Sequence, residues 1–141
     1  MMIDRIDKEH RSWNMSQIRS KNTKPEIAVR KTLHRLGYRF RLHCSELPGT
    51  PDIVLPRYKT VVFVHGCYWH RHQGCKYAYL PKSRESFWAH KFKGNVARDI
   101  QHQAELMKMG WNVGIIWECE IEDESILHDR INRIFANAPI G

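Results

Sequence analysis

The sequence predicts an α/β domain, a mixed β-sheet flanked by helices and stapled by a structural zinc site. Three observations carry that prediction. Apolar periodicity runs in the order helix, three strands, helix, strand, helix. The 141 residues hold no internal repeat, low-complexity tract or Ser/Gly linker, which fits one hydrophobic core. Cys67, His72 and Cys75 fall within nine residues, and Cys119 stands at the end of the last apolar strand.

Thr23-Lys24-Pro25-Glu26 reads as a helix start, with Thr23 as N-cap, Pro25 in the first turn and Glu26 at the capping-box position. Val29, Leu33 and Leu36 then repeat at helical spacing until Gly37 ends the run. Tyr38, Phe40 and Leu42 alternate with Arg39 and Arg41, a half-buried strand with a basic outer face. After the turn Pro48-Gly49-Thr50-Pro51, a short strand opens at Asp52, and the apolar run Thr60 to His65 belongs inside the sheet. Ser83 to Met109 is helical in composition, with Phe92, Val96, Ile100 and Met107 on one face and a potential break at Gly94. Trp111 to Trp117 is a further strand, and Ile126, Ile131, Ile134 and Phe135 mark a closing helix. The expected sheet is an antiparallel meander of three strands with the fourth added by a crossover.

Lys plus Arg number 23 against 15 Asp plus Glu, a formal charge of +8, so a polyanion is the natural partner. No apolar run is long enough to span a membrane, and the polar N-terminus does not read as a signal peptide, so the expected location is cytoplasmic. Residues 1–22 carry five basic residues together with Trp13 and Met15, which suits an arm that orders on a phosphate backbone, with residues 23–141 as the single folded domain.

In a reducing compartment, clustered cysteines point to metal ligation. Three thiolates and one imidazole from Cys67, His72, Cys75 and Cys119 make a closed tetrahedral set for zinc, with no open position for a substrate water. The metal would order a loop too polar and glycine-rich to bury those sulfurs by packing alone. His70 competes with His72 for the ligand role, and Cys44 has no assigned one.

Asp52 opens one strand and His65 ends the next, so a hairpin brings the two together. The element order is that of restriction-endonuclease-like nucleases, which use a Pro-Asp motif followed by an acid-x-Lys pair. Here that second position reads Phe63-Val64-His65, with histidine for lysine. Pro51-Asp52, the run Val62-Phe63-Val64-His65-Gly66-Cys67-Tyr68-Trp69-His70, Phe87-Trp88, Asn95-Val96 with Arg98-Asp99, Gly110-Trp111 and Trp117-Glu118-Cys119 together resemble the very short patch repair endonucleases. The similarity extends from about Arg11 to Cys119.

That resemblance implies a magnesium-dependent hydrolase that nicks double-stranded DNA 5′ to the thymine of a thymine-guanine mismatch. It further implies that Asp52 and the main-chain carbonyl of Val64 hold magnesium. His65 and His70 would contact metal-bound water or the scissile phosphate, and Glu26 would orient one histidine. Tyr68, Trp69 and Trp88, expected near the surface, would wedge between base pairs, with Met15 as a weaker wedge in the arm, which would lie in the minor groove. Lys91, Lys93 and Asn95 would hold phosphates or base edges. Trp111 and Trp117 are expected in the core. One nick needs one active site, so a monomer is expected, and mismatch-repair proteins are implied as partners. Two other readings use the same residues: a zinc-containing DNA-binding module without catalysis, and a restriction-type endonuclease acting on paired DNA.

Overall fold

The computed structural model describes residues 22–138. The arm, with Trp13 and Met15, therefore falls outside the described residues apart from Asn22. Helix α1, Lys24–Arg35, starts where expected: Thr23 is extended and its Oγ1 accepts the Glu26 N–H at 3.4 Å. Only half of the capping box forms, because the Glu26 carboxylate turns inward to other partners. Gly37, at φ +96°, ends the helix as its spacing predicts.

Four strands form one sheet in the order β1 (Arg41–Leu42), β2 (Ile53–Leu55), β3 (Thr60–His65) and β4 (Asn112–Trp117). The β1–β2 and β2–β3 pairs are antiparallel, while β3 and β4 are parallel, joined through helix α2 (Glu85–Lys108). This is the expected meander plus crossover, although β1 is only two residues long and exposed at Arg41 and Leu42. Helix α3, Glu124–Ala136, closes the fold, with Asp123 capping its first turn through Ser125 and Ile126 N–H groups.

Strand parity sorts the core into two layers. Ile53, Leu55, Val62 and Ile116 face Val29 and Leu33 of α1 and Leu127, Ile131 and Ile134 of α3. On the opposite face Val54, Val61 and Phe63 meet Leu106 of α2, with Trp111, Val113, Ile115 and Cys44 around them. Cys44 is thus a packing residue of this second layer. Among the described residues no helix is long and apolar enough to cross a membrane.

Helix α2 corrects the sequence reading twice. It passes through Gly94 without a break, and its apolar stripe is not its buried face. Phe92 and Leu106 are buried, whereas Ile100 is 62% and Met107 57% exposed. The cause is that α2 turns a polar stripe, including Asn95, Asp99 and His102, onto a cleft, and that orientation rotates Ile100 and Met107 outward. Trp111 and Trp117 are half-buried rather than central.

Gly114 of β4 is required by the packing of α3. A Cβ placed there would stand 2.6 to 2.9 Å from three side-chain atoms of Ile134. Gly114→Ala is therefore expected to destabilise the domain by ~1–3 kcal/mol through overpacking, read as a lower denaturation midpoint with an unchanged slope in urea.

Candidate active site and metal centre

Asp52 owes its position to strand register. The pairing Ile53↔Val62 sets Asp52 one step beyond the last β2–β3 pair, and its Oδ2 accepts the Val64 N–H at 2.7 Å. The carboxylate replaces the ladder partner that β2 no longer supplies. Burial pushes its pKa up, opposed by the Val64 hydrogen bond and then by His43, His70 and Arg30. A carboxylate so desolvated gains strongly from a nearby cation.

Glu26 is almost fully buried and reaches toward Asp52 from α1. Its Oε2 meets His43 Nε2 at 2.7 Å and forms an ion pair with Arg30. Ligand atoms of Glu26, His43 and Asp52 all lie within 4.8 Å of one another. The histidine that Glu26 orients is thus His43, which sequence reasoning missed, and neither His65 nor His70. His43 stands just past β1, at φ +47°, with its N–H bonded to the Asp52 carbonyl at 3.1 Å. Only its place after a basic alternating strand could have signalled it.

His65, at the end of β3, is 4% exposed and stacks on His70, with ring centroids 3.8 Å apart and planes 7° apart. His70 Nδ1 pairs with Asp99 Oδ2 at 2.7 Å. Burial first, and the neighbouring His70 second, push the His65 pKa down from 6.5 to about 3. His65 is therefore a neutral imidazole at neutral pH. Its Nδ1 is buried and has no hydrogen-bond partner among the described residues, a vacancy that a bound polar group would satisfy. Asp99 belongs to the quoted Arg98-Asp99 motif, but its spacing alone gave it no role.

These groups line one cleft of about 450 Å³, with Asp52, Val64, His65 and His70 on one wall and Lys91, Asn95, Asp99 and His102 of α2 on another. Glu26, Trp69 and Arg98 line it as well. Lys91 is exposed, while Asn95 is half-buried and donates to the Trp69 carbonyl at 3.3 Å.

The four cysteine and histidine groups expected to hold zinc do come together. Ligand atoms of Cys67, His72, Cys75 and Cys119 lie within 4.8 Å of one another, with His72 Nδ1 3.5 Å from Cys67 Sγ and 3.3 Å from Cys119 Sγ. His72 is the member of this set, and its rival His70 faces the cleft. Burial raises the Cys67 thiol and pushes Cys119 up to about 11, the cost that a coordinated cation would remove. Glu118 Oε1 accepts the Cys67 N–H at 2.9 Å, and Trp117 stacks on His72 with centroids 4.3 Å apart.

Tyr68 and Trp69 correct the expectation of surface aromatics. They are 4% and 5% exposed and cluster with Tyr79 and Phe92, with half-buried Trp88 packed against them. Arg71 holds the cluster's backbone by donating to the carbonyls of Tyr68 and Tyr79, each at 3.0 Å, and of Ala78 at 2.8 Å. Its guanidinium also lies 4.0 Å from the Phe92 ring centroid.

Residues 3–76 match the family model described as DNA mismatch endonuclease Vsr. The chain is 52% identical over 133 residues to the type II nicking enzyme V.XorIIP of Xanthomonas oryzae pv. oryzae, covering 94% of this chain and 97% of that one. It is 45% identical over 133 residues to the type II nicking enzyme V.NmeAIP of Neisseria meningitidis serogroup A, covering 94% of each. It is 39% identical over 128 residues to the DNA mismatch endonuclease Vsr of Escherichia coli K12, covering 91% of this chain and 81% of that one.

Arg71→Ala leaves three carbonyls without their charged donor. A loss of ~3 kcal/mol is expected, since hydrogen bonds to charged groups contribute ~1.5–3 kcal/mol each and do not add fully. Amide hydrogen exchange should accelerate through residues 67–79 first, with the sheet amides unaffected until global unfolding.

Proposed function

The chain belongs to the Vsr family of DNA mismatch endonucleases and is a DNA-cleaving hydrolase of that family; from that premise we propose that it nicks one strand 5′ to the thymine of a thymine-guanine mismatch. Such a cut would initiate short-patch repair where 5-methylcytosine has been deaminated. The observation that carries the reading is the convergence of half-buried Asp52 and the stacked His65–His70 pair on one cleft, with cations of α2 opposite.

Asp52 and the Val64 carbonyl are the groups that would hold magnesium. Their fit rests on the Val64 N–H bonded to Asp52, because a strand residue's carbonyl leaves the same edge as its N–H. Magnesium, when bound, supplies charge relief on the phosphoryl oxygens and a more acidic water. Neutral His65 offers a lone pair to the attacking water. His70, engaged at Nδ1 by Asp99, presents Nε2 to the phosphate or the leaving oxygen. Glu26, braced by Arg30 and His43, holds the negative wall behind Asp52. Cys67, His72, Cys75 and Cys119 would hold zinc as a closed staple outside the reaction.

Mismatch reading falls to the aromatic cluster and α2. Trp69 lines the cleft and Trp88 is half-buried, while Tyr68 is covered, so wedging requires the cluster to open. Unstacking a base step costs a few kcal/mol and least at a mismatch, which supplies selectivity. Lys91 and Asn95 would contact phosphate or base edges from the cleft wall. Met15 and the arm would follow the minor groove. The protein would act as a monomer, handing the nick to repair proteins.

An end-labelled duplex with one thymine-guanine mismatch, tested in several flanking contexts with magnesium, should yield a single nick 5′ to the thymine. The paired duplex and Asp52→Ala protein should yield none. Binding without a cut in every context would leave a DNA-binding module and overturn the reading. Elemental analysis should find about one zinc per chain, lost in Cys119→Ser together with solubility or a lower melting temperature. A metal-free protein of unchanged stability would remove the staple.

A further inference from the structure

The helical arginines of this domain are mostly spoken for. Arg30 pairs with Glu26, Arg35 with Glu124, Arg130 with Glu120 and Arg133 with Asp129. Arg98 is different. It sits on α2 within the cleft, yet it forms no ion pair among the described residues, and the adjacent Asp99 is taken by His70. Its guanidinium is nonetheless held in place. One Nη donates to Asn95 Oδ1, and Asn95 in turn donates to the Trp69 carbonyl at 3.3 Å. The other Nη lies 3.4 Å from where a Cβ on Gly94 would stand.

The Arg98 guanidinium thus folds back along α2 over Gly94. A cation oriented by an amide, without a carboxylate partner, in a cleft shared with a reaction centre, is ready for an anion. Lys91, Arg98 and His102 are separated by seven and then four residues along one side of α2, eleven in all, so the stripe runs ~16 Å beside the cleft.

We propose that Arg98 is a phosphate clamp for the cut strand, gripping the phosphodiester next to the scissile one by a bidentate guanidinium contact. The inference rests on the nuclease reading and deepens it by naming how the strand is gripped. The neighbouring phosphate is the target because Asp99, the next residue, already directs His70 into the reaction centre, leaving Arg98 one residue further around the helix. With that phosphate fixed, the scissile bond is registered against Asp52 and His65 before chemistry begins. Asn95 becomes a positioning residue for Arg98, a role distinct from reading a base edge.

The test is a coupling between one side chain and one phosphate. Single phosphates around the cut position are replaced, one at a time, by uncharged methylphosphonates. Affinity is measured for Asp52→Ala protein, which leaves the duplex intact, with Arg98 or with Arg98→Gln. One position flanking the scissile phosphate should weaken binding about tenfold with Arg98 and under twofold with Arg98→Gln, as expected for a lost charge-assisted contact of ~1.4 kcal/mol. The slope of log affinity against log salt should shallow by about 0.9 in Arg98→Gln and be kept by Arg98→Lys, which retains charge but loses the fork. Equal losses for both proteins at every position, or an unchanged salt slope, would overturn the clamp. Arg98 is exposed, so the variant should melt with its parent, and folding does not obscure the result. Failure of the nuclease reading would show separately, as no magnesium-dependent cut by the Asp52 protein.

Discussion

Everything functional in this domain depends on how β3 is paired on its two edges. Its parallel register with β4 sets His65 opposite Trp117, so Cys67 and Cys119 each stand two residues past that pair and emerge at the same end of the sheet. A distant cysteine thereby joins a local trio. On the other edge the antiparallel register with β2 runs out at Ile53↔Val62, which brings Asp52 alongside the unpaired N–H of Val64. One strand end therefore carries the acid, the stacked imidazoles and the first sulfur of the Cys/His cluster. A slip of one residue would send Val61 and Phe63 to the wrong layer and dissolve both sites together.

Burial is the cost of that concentration. Around the strand end Glu26, His65 and Cys67 are buried and Asp52 is half-buried, and each polar group so placed calls for a partner. The structure meets these needs unequally. Glu26 is paired with Arg30 and hydrogen-bonded to His43, and Asp52 receives one backbone N–H. His65 simply stays uncharged. The sulfurs have each other and His72, a set whose repulsion as thiolates a bound cation would relieve.

Much of this was legible because it lies in local spacing. Thr23, Pro25 and Gly37 bound α1, alternation and turn residues locate the strands, and the Cys-x4-His-x2-Cys run marks its own cluster. What escaped depends on relations that no spacing encodes. His43 sits in a loop and meets Glu26 only after β1 pairs with β2. The apolar periodicity of α2 misled, because this long helix buries only Phe92 and Leu106 and turns Asn95, Asp99 and His102 to the cleft. Tyr68 and Trp69 looked like loop residues in a glycine-rich stretch. Arg71 and the ring of Phe92 give them a shelter of their own, a satellite core under the loop.

The stacked histidines show how the cleft gives two identical side chains different surroundings. Rings 3.8 Å apart cannot both carry a proton without strong repulsion, so their environments must differ. Asp99 supplies the difference by pairing with His70 Nδ1, which fixes that ring's orientation. His65 lies deeper, hydrogen-bonds no carboxylate among the described residues, and burial holds it neutral. The two rings thereby differ in depth and in partner, the asymmetry on which the proposed division of proton transfer rests. The asymmetry comes from placement: His65 closes a buried strand, while His70 stands one loop turn later, where α2 can bring an acid to it.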